Sequence, residues 1–124
     1  MTPEESQQII LNILNRAEKG ESTEAHPIKS WNEYRYYRRE AKVTKAIIKM
    51  LQESIDNVTK SYCKDIISGT ADLEMLFAFM QVNRVLDFYK VERNILNCML
   101  TEYENYLRHE NFLRIIFFGE ERDI

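Results

Sequence analysis

Glycine and proline are scarce in this chain, at three and two residues among 124. Tight turns depend on these residue types, so a protein built from many short strands fits the sequence poorly. The sequence also lacks a Gly-rich phosphate loop and a Gly-x-Ser-x-Gly elbow, the signatures of phosphoryl transfer and of many hydrolases. The scarcity favours an all-α protein, and we expect no catalytic residues and no enzyme activity.

Cysteine and histidine are equally sparse. Cys63 and Cys98 form no CxxC pair, which argues against a disulfide framework and against a structural zinc site. His26 and His109 are the only histidines, and neither has a second ligand at metal-binding spacing. We therefore expect no metal and no cofactor, two reduced thiols in the core, and a His109 that interacts with the end of a helix.

Long apolar runs are missing as well. No stretch approaches the roughly 18 apolar residues that cross a bilayer, and residues 1–20 do not resemble a signal peptide. With 44% hydrophobic residues, a chain of this length can bury a core as one domain. The sequence predicts a single cytoplasmic domain over residues 1–124, with no membrane contact and no evident small-molecule substrate.

Helix boundaries are marked by capping residues. Thr2, Pro3 and Glu5 form an N-terminal capping signature, and Gly20 offers a left-handed C-terminal position, which predicts a first helix ending near Lys19. Residues 20–29 form the main loop. Ser30 and Glu33 repeat the capping box and start the second helix.

A long antiparallel helical hairpin is the central prediction. A heptad of apolar and small residues continues through the second helix, at Tyr34, Tyr37, Ala41, Thr44, Ile48, Leu51, Ile55, Val58 and Tyr62. We predict helices over about 30–67 and 70–108, with Thr70 as the N-cap of the second of these. The short connection around Gly69 requires the two helices to run antiparallel. The fold class is an all-α helical bundle.

The C-terminal segment, 110–124, contains an apolar run that needs cover from water. A short helix folding back on the hairpin and a strand added to a partner are both compatible with it. The third helix is also apolar around most of its circumference, more than one neighbouring helix can bury. We therefore predict a protein partner or self-association through a set of aliphatic and aromatic anchors: Phe77, Met80, Phe88, Phe112, Ile115, Ile116, Phe117 and Phe118.

Positive charge is concentrated at the start of the second helix. Residues 29–49 carry seven Lys and Arg against two Glu, a net +5, whereas the chain as a whole carries −3 and the remainder therefore −8. We call six of these cations the basic face: Arg35, Arg38, Arg39, Lys42, Lys45 and Lys49. An ordinary solvated helix surface, an acidic protein partner and a nucleic-acid backbone are three readings of it.

The order of elements resembles the helical domain of GINS replication-complex subunits. A short first helix is followed by an acidic loop with a proline, by an aromatic-acidic helix start, Trp31-Asn32-Glu33-Tyr34, and then by long helices. The resemblance covers residues 9–107. The resemblance implies a non-catalytic scaffold that joins a replicative helicase to companion factors through its helix faces. A small helical regulator of viral or plasmid type that binds nucleic acid through the basic face is an alternative.

Overall fold

The fold is a long helical hairpin with a short helix laid across it. A computed structural model describes the backbone of residues 2–69 and 73–118, and the side chains of those residues except Met75 and 112–118. The three helices are α1 (Pro3–Lys19), α2 (Trp31–Ser68) and α3 (Leu73–Phe118), and none of the described residues lies in a strand. The predicted all-α bundle is confirmed.

The capping residues begin and end the helices largely as predicted. The Thr2 hydroxyl accepts the N–H of Glu5, whose carboxylate accepts the N–H of Thr2 in return. Gly20 and Gly69 end α1 and α2 at φ values of 64° and 77°, a left-handed conformation in which a Cβ would be strained. Residue Thr70, the predicted N-cap of α3, lies outside the described residues.

The capping box predicted at the start of α2 is only half present. The Ser30 hydroxyl accepts the N–H of Glu33 at 3.2 Å. The Glu33 carboxylate, however, accepts the N–H of Lys29 at 2.9 Å. The carboxylate reaches one residue further back than a capping box requires, so it ties the last loop residue to the helix.

Helices α2 and α3 are antiparallel and pack along the predicted heptad. Near the start of α2, Tyr34 contacts Met99 and Leu100 together with Ile28 of the loop. Further along α2, a second cluster combines Leu51, Ile55, Val85, Leu86 and Tyr89. Positions later in α2 therefore meet positions earlier in α3, as a hairpin about Gly69 requires.

Helix α1 supplies a partial third layer on α3. Its residues Ile13, Leu14 and Ala17 pack against the second cluster, yet none of its residues is fully buried. The Tyr89 hydroxyl donates a 2.7 Å hydrogen bond to the carbonyl of Ile13. Since Tyr89 is only 1% exposed, α1 covers a polar group of the core as well as apolar surface.

The predicted end of the third helix was wrong. Helix α3 does not stop near Arg108 but continues to Phe118, so 112–118 is helical and does not fold back as a separate helix. Residues 108–118 contain no glycine or proline, and Gly119 is the first residue able to end the helix easily. Tyr34 is paired with Tyr103, which places the last turns of α3 beyond the start of α2.

Two further expectations, for His109 and for the two cysteines, were wrong. His109 lies inside α3, about ten residues before its end, and so cannot interact with a helix terminus. Cys63 and Cys98 are free but exposed, which corrects their placement in the core. Both cysteines lie on surfaces of their helices that do not face the seam, the line of contact between α2 and α3. No helix within the described ranges has the length and apolar character needed to cross a membrane.

Candidate functional site

The best-built polar cluster is centred on Glu92 of α3, whose side chain is completely buried. Its carboxylate accepts the N–H of Thr23 at 2.7 Å, the hydroxyl of Thr23 at 2.8 Å and a guanidinium N–H of Arg16 at 2.7 Å. Arg16 also donates to the carbonyl of Glu21 at 3.1 Å. Three hydrogen bonds, one of them from a cation, thus satisfy the Glu92 carboxylate within the chain, as a buried carboxylate requires.

The Glu92 cluster joins three separate parts of the chain. Arg16 comes from the last turns of α1, Thr23 from the loop and Glu92 from the middle of α3. The Arg16 guanidinium also lies 6.0 Å from the centre of the Phe88 ring, within reach of a cation–π interaction. The cluster fixes where α1 and the loop lie, and its chemistry is structural.

Sequence reasoning missed the Glu92 cluster. The carboxylate occupies a seam position of α3, seven residues after Val85 and seven before Met99, where an apolar residue is normal. A charged residue at such a position signals a buried partner. The sequence gives no indication that Arg16 and Thr23 are that partner, because they lie about 70 residues away.

An aromatic ladder lies at the open end of the hairpin. The rings of Trp31, Tyr34, Tyr103 and Tyr106 follow one another at centroid distances of 5.1, 5.3 and 6.4 Å. The Tyr34 hydroxyl donates to Glu104 at 2.7 Å. Burial, and then this hydrogen bond to a carboxylate, raise the pKa of Tyr34 above its ordinary value of 10.0. The ladder joins the start of α2 to α3.

A groove of about 820 Å³ runs between the loop and α3. His26 and Pro27 form one wall, and Asn94, Cys98 and Glu102 belong to the other. The His26 ring lies 3.0 Å from the carbonyl of Glu24 and 3.3 Å from the Tyr37 hydroxyl, so local contacts hold it. Within the described residues, no three His, Cys, Asp or Glu side chains come together as metal ligands.

The basic face is fully solvated. All six of its cations are exposed along four turns of α2, and none forms an ion pair with another described side chain. They lie beside the heptad seam, and Arg38 borders a groove that also includes Glu104 and Arg108 of α3. The structure thus brings the predicted cations together on one surface but gives them no partner among the described residues of their own chain.

Apolar side chains of α3 lie exposed on the side opposite its seam. Leu73, Phe77 and Met80 are 70%, 62% and 47% exposed, and Val91 is 54% exposed. They belong to a row at three-four spacing that we call the outer stripe, all of it exposed: Leu73, Phe77, Met80, Arg84, Asp87, Val91, Asn94 and Cys98. A groove of about 600 Å³ borders Phe77, Met80 and Arg84.

The other predicted interface residues differ from Phe77 and Met80. Phe88 is half-buried, packs against the second core cluster and meets the Tyr89 ring edge to face at 5.0 Å. Phe88 therefore contributes to the core and is also partly accessible at the surface. The remaining five lie in the last two turns of α3, and their side chains are outside the described part of the structure: Phe112, Ile115, Ile116, Phe117 and Phe118.

No protein-family model matches the chain, and neither curated proteins nor solved structures give a significant match.

Proposed function

We propose that this protein is a non-enzymatic interaction subunit that binds another protein chain through the outer stripe of α3. The observation that carries the proposal is the exposure of Leu73, Phe77 and Met80 in consecutive turns of one helix. Scattered exposed apolar residues are normal, but a continuous row of large ones is typical of a binding surface. Phe and Met are also enriched at the centres of protein interfaces.

The construction of the hairpin supports this role. Buried residues of the core, such as Leu96 at 2% and Leu86 at 3% exposure, lie on the opposite side of the same helix. The outer stripe therefore does not contribute to the core, and binding can use it without rearranging the fold. A rigid helix that presents spaced anchors is the usual partner of an apolar groove or of another helix.

The polar chemistry also supports a scaffold. Glu92, the one fully buried carboxylate among the described residues, uses its hydrogen-bonding capacity on Arg16 and Thr23. A catalytic carboxylate needs access to a substrate, whereas this one is closed off by its own chain. The similarity in element order to GINS helical domains supports placing the subunit in a replication-related assembly.

Site-specific photo-crosslinking in cells tests the proposal. A photoreactive phenylalanine analogue at position 77 should give covalent adducts of discrete mass, because binding energy concentrates at such anchors. The matched control carries the analogue at Gln52, an exposed residue of α2. Adding Met80→Asp should abolish the adducts at position 77. Identical patterns at positions 77 and 52 would contradict the proposal.

A second candidate function, nucleic-acid binding by a helical regulator, rests on the basic face. Its cations lie between Arg35 and Lys49, about 21 Å apart at the helical rise, and each is exposed and able to contact a phosphate. Such binding is driven by counterion release and so weakens steeply with salt. The same surface also suits an acidic protein.

Paired charge reversals test this second candidate. Arg38→Glu with Lys42→Glu should weaken binding to a labelled oligonucleotide at low salt by about 100-fold, with a shallower salt dependence. Lys60→Glu with Lys64→Glu is the matched control, because these lysines are also exposed and four residues apart on α2. Equal loss in both variants would mean that only overall charge matters.

A further inference from the structure

The outer stripe has an internal symmetry. Its centre is a charged pair, Arg84 and Asp87, and apolar side chains flank it on both sides, with Met80 before and Val91 after. From Leu73 to Cys98 it is about 38 Å long. Reversing its direction exchanges Arg84 with Asp87, Met80 with Val91 and Phe77 with Asn94, so the order of residues is complementary to itself in the central four positions.

We propose that a second copy of this chain binds the outer stripe, with the two α3 helices antiparallel about a two-fold axis between residues 85 and 86. The proposal rests on the proposed function and names its partner. In this arrangement Arg84 of each copy faces Asp87 of the other, and Met80 of each faces Val91. Such self-complementarity is what an isologous interface requires.

Charge selects this occupant and this direction. Arg84 and Asp87 are exposed, and neither forms an ion pair with another described side chain. An apolar partner surface would cover both charges without compensation, which is costly. In a parallel pair of α3 helices in register, Arg84 would face Arg84 and Asp87 would face Asp87. Of the two ways of pairing identical α3 helices in register, only the antiparallel one neutralises both charges at once.

The packing of the hairpin leaves room for this contact. Helix α2 and α1 approach α3 through its seam residues, among them Val85 and Tyr89. Helix α1 borders the outer stripe at Arg84, and the loop borders it at Asn94 and Cys98. The apolar members Leu73, Phe77, Met80 and Val91 are all about half exposed or more. Two hairpins joined along it would place the two α3 helices side by side, with each α2 on the far side of its own α3, at the small crossing angle typical of packed long helices.

A charge-exchange experiment tests the proposal. Sedimentation velocity on the full chain between about 1 and 200 μM should show a concentration-dependent dimer. Arg84→Glu and Asp87→Arg should each weaken the dimer by about 10-fold or more, because each places two pairs of like charges in contact. Mixing the two variants should restore dimerisation. The glutamate introduced at position 84 of one chain then faces the arginine introduced at position 87 of the other. The second pair consists of the unchanged Asp87 of the first chain and the unchanged Arg84 of the other.

The controls separate charge from folding. Both positions are exposed, so circular dichroism and the thermal midpoint of each variant should match those of the unchanged chain. A mixture of Met80→Cys and Val91→Cys chains, with Cys63 and Cys98 replaced by Ser, should form an intermolecular disulfide more readily than either chain alone. This second readout does not depend on the charge variants.

Two outcomes would overturn the dimer. One is a chain that stays monomeric over the whole concentration range, and the other is a dimer that the charge exchange does not affect. Neither outcome decides the proposed function, because crosslinking from position 77 to a different protein would still show that the outer stripe binds a partner. If the adducts at position 77 were also absent, both the dimer and the proposed function would be refuted.

Discussion

The two ends of the hairpin consist of the same pair of helices, yet they bury their side chains very differently. Among the described residues, buried positions of α2 lie between Tyr34 and Ile55, and those of α3 lie between Val85 and Leu100. Nearer the turn, the heptad residues Val58 and Tyr62 are only partly buried. The heptad continues through both regions, so the apolar pattern alone does not produce burial.

The third layer accounts for the difference. Helix α1 and the loop lie over the part of α3 that contains Val85, Tyr89 and Glu92, and Ile28 of the loop is buried against Met99. Two helices side by side enclose only a narrow seam. A short crossing helix, fixed by one buried carboxylate, is what makes the middle of this hairpin a core.

Two leucines of α3 give the largest expected contrast between these regions. Leu96 is 2% exposed and Leu73 is 70% exposed. Leu96→Ala should lower the free energy of unfolding by about 2–5 kcal/mol, because it leaves a cavity in the core. Leu73→Ala should change it by less than about 0.5 kcal/mol. Urea denaturation followed by circular dichroism measures both, and similar losses would mean that the outer stripe near the turn is also packed in a core.

The Arg16 contact to Glu92 should give the next largest effect. Arg16→Ala leaves a buried carboxylate without its cation, at a cost of about 2–3 kcal/mol, moderated because the Arg16 side chain is 31% exposed. Lys19→Ala, in the same last turn of α1, is the control and should cost no more than about 0.5 kcal/mol. Equal losses would show that Arg16 acts only through the helix dipole. The measurement is again urea denaturation.

Alkaline pH should destabilise the core through its tyrosines. Burial raises the pKa of Tyr89 above 10.0, as burial and Glu104 do for Tyr34. The folded state therefore binds these protons more tightly than the unfolded state. The resulting stability is complete below pH 10 and is lost as pH rises above 10 and through the folded pKa values.

Tyr89→Phe separates this effect from general alkaline damage. The variant should lose about 1 kcal/mol at neutral pH, since the hydrogen bond to the Ile13 carbonyl disappears. Its stability should then fall less between pH 9 and pH 11 than that of the unchanged chain. Tyr36→Phe, at a position 49% exposed, is the control. A pH profile of Tyr89→Phe parallel to the original would contradict the assignment.

Local signals predicted most of the hairpin. Capping residues such as Thr2, Gly20 and Gly69 act through their own neighbours, and the heptad of α2 defines a seam whatever packs against it. The end of α3 was misplaced because an apolar run was treated as a separate element, although no helix breaker precedes Gly119. The exposed cysteines show the same limitation, since the preference of a residue type for the core does not identify which face is covered.

The candidate surfaces were only partly predictable. The cations of the basic face and the anchors Phe77 and Met80 could be chosen from their spacing, and the structure places them on exposed surface. The Glu92 cluster could not be found, because its members meet only after α1 has crossed α3. The outer stripe required knowledge of which side of α3 faces the seam, and helix α3 is too uniformly apolar for its sequence to show that.

Residue-resolved native-state hydrogen exchange tests most directly the claim that a third layer makes only one region of the hairpin a core. The experiment uses the Arg84→Glu background so that the proposed dimer, if it forms, does not protect the outer stripe. Amides of residues 85–100 should exchange only through global unfolding, whereas those of residues 60–68 and 76–80 should exchange through local openings at least about 2 kcal/mol easier. Uniform protection along both long helices would contradict the account.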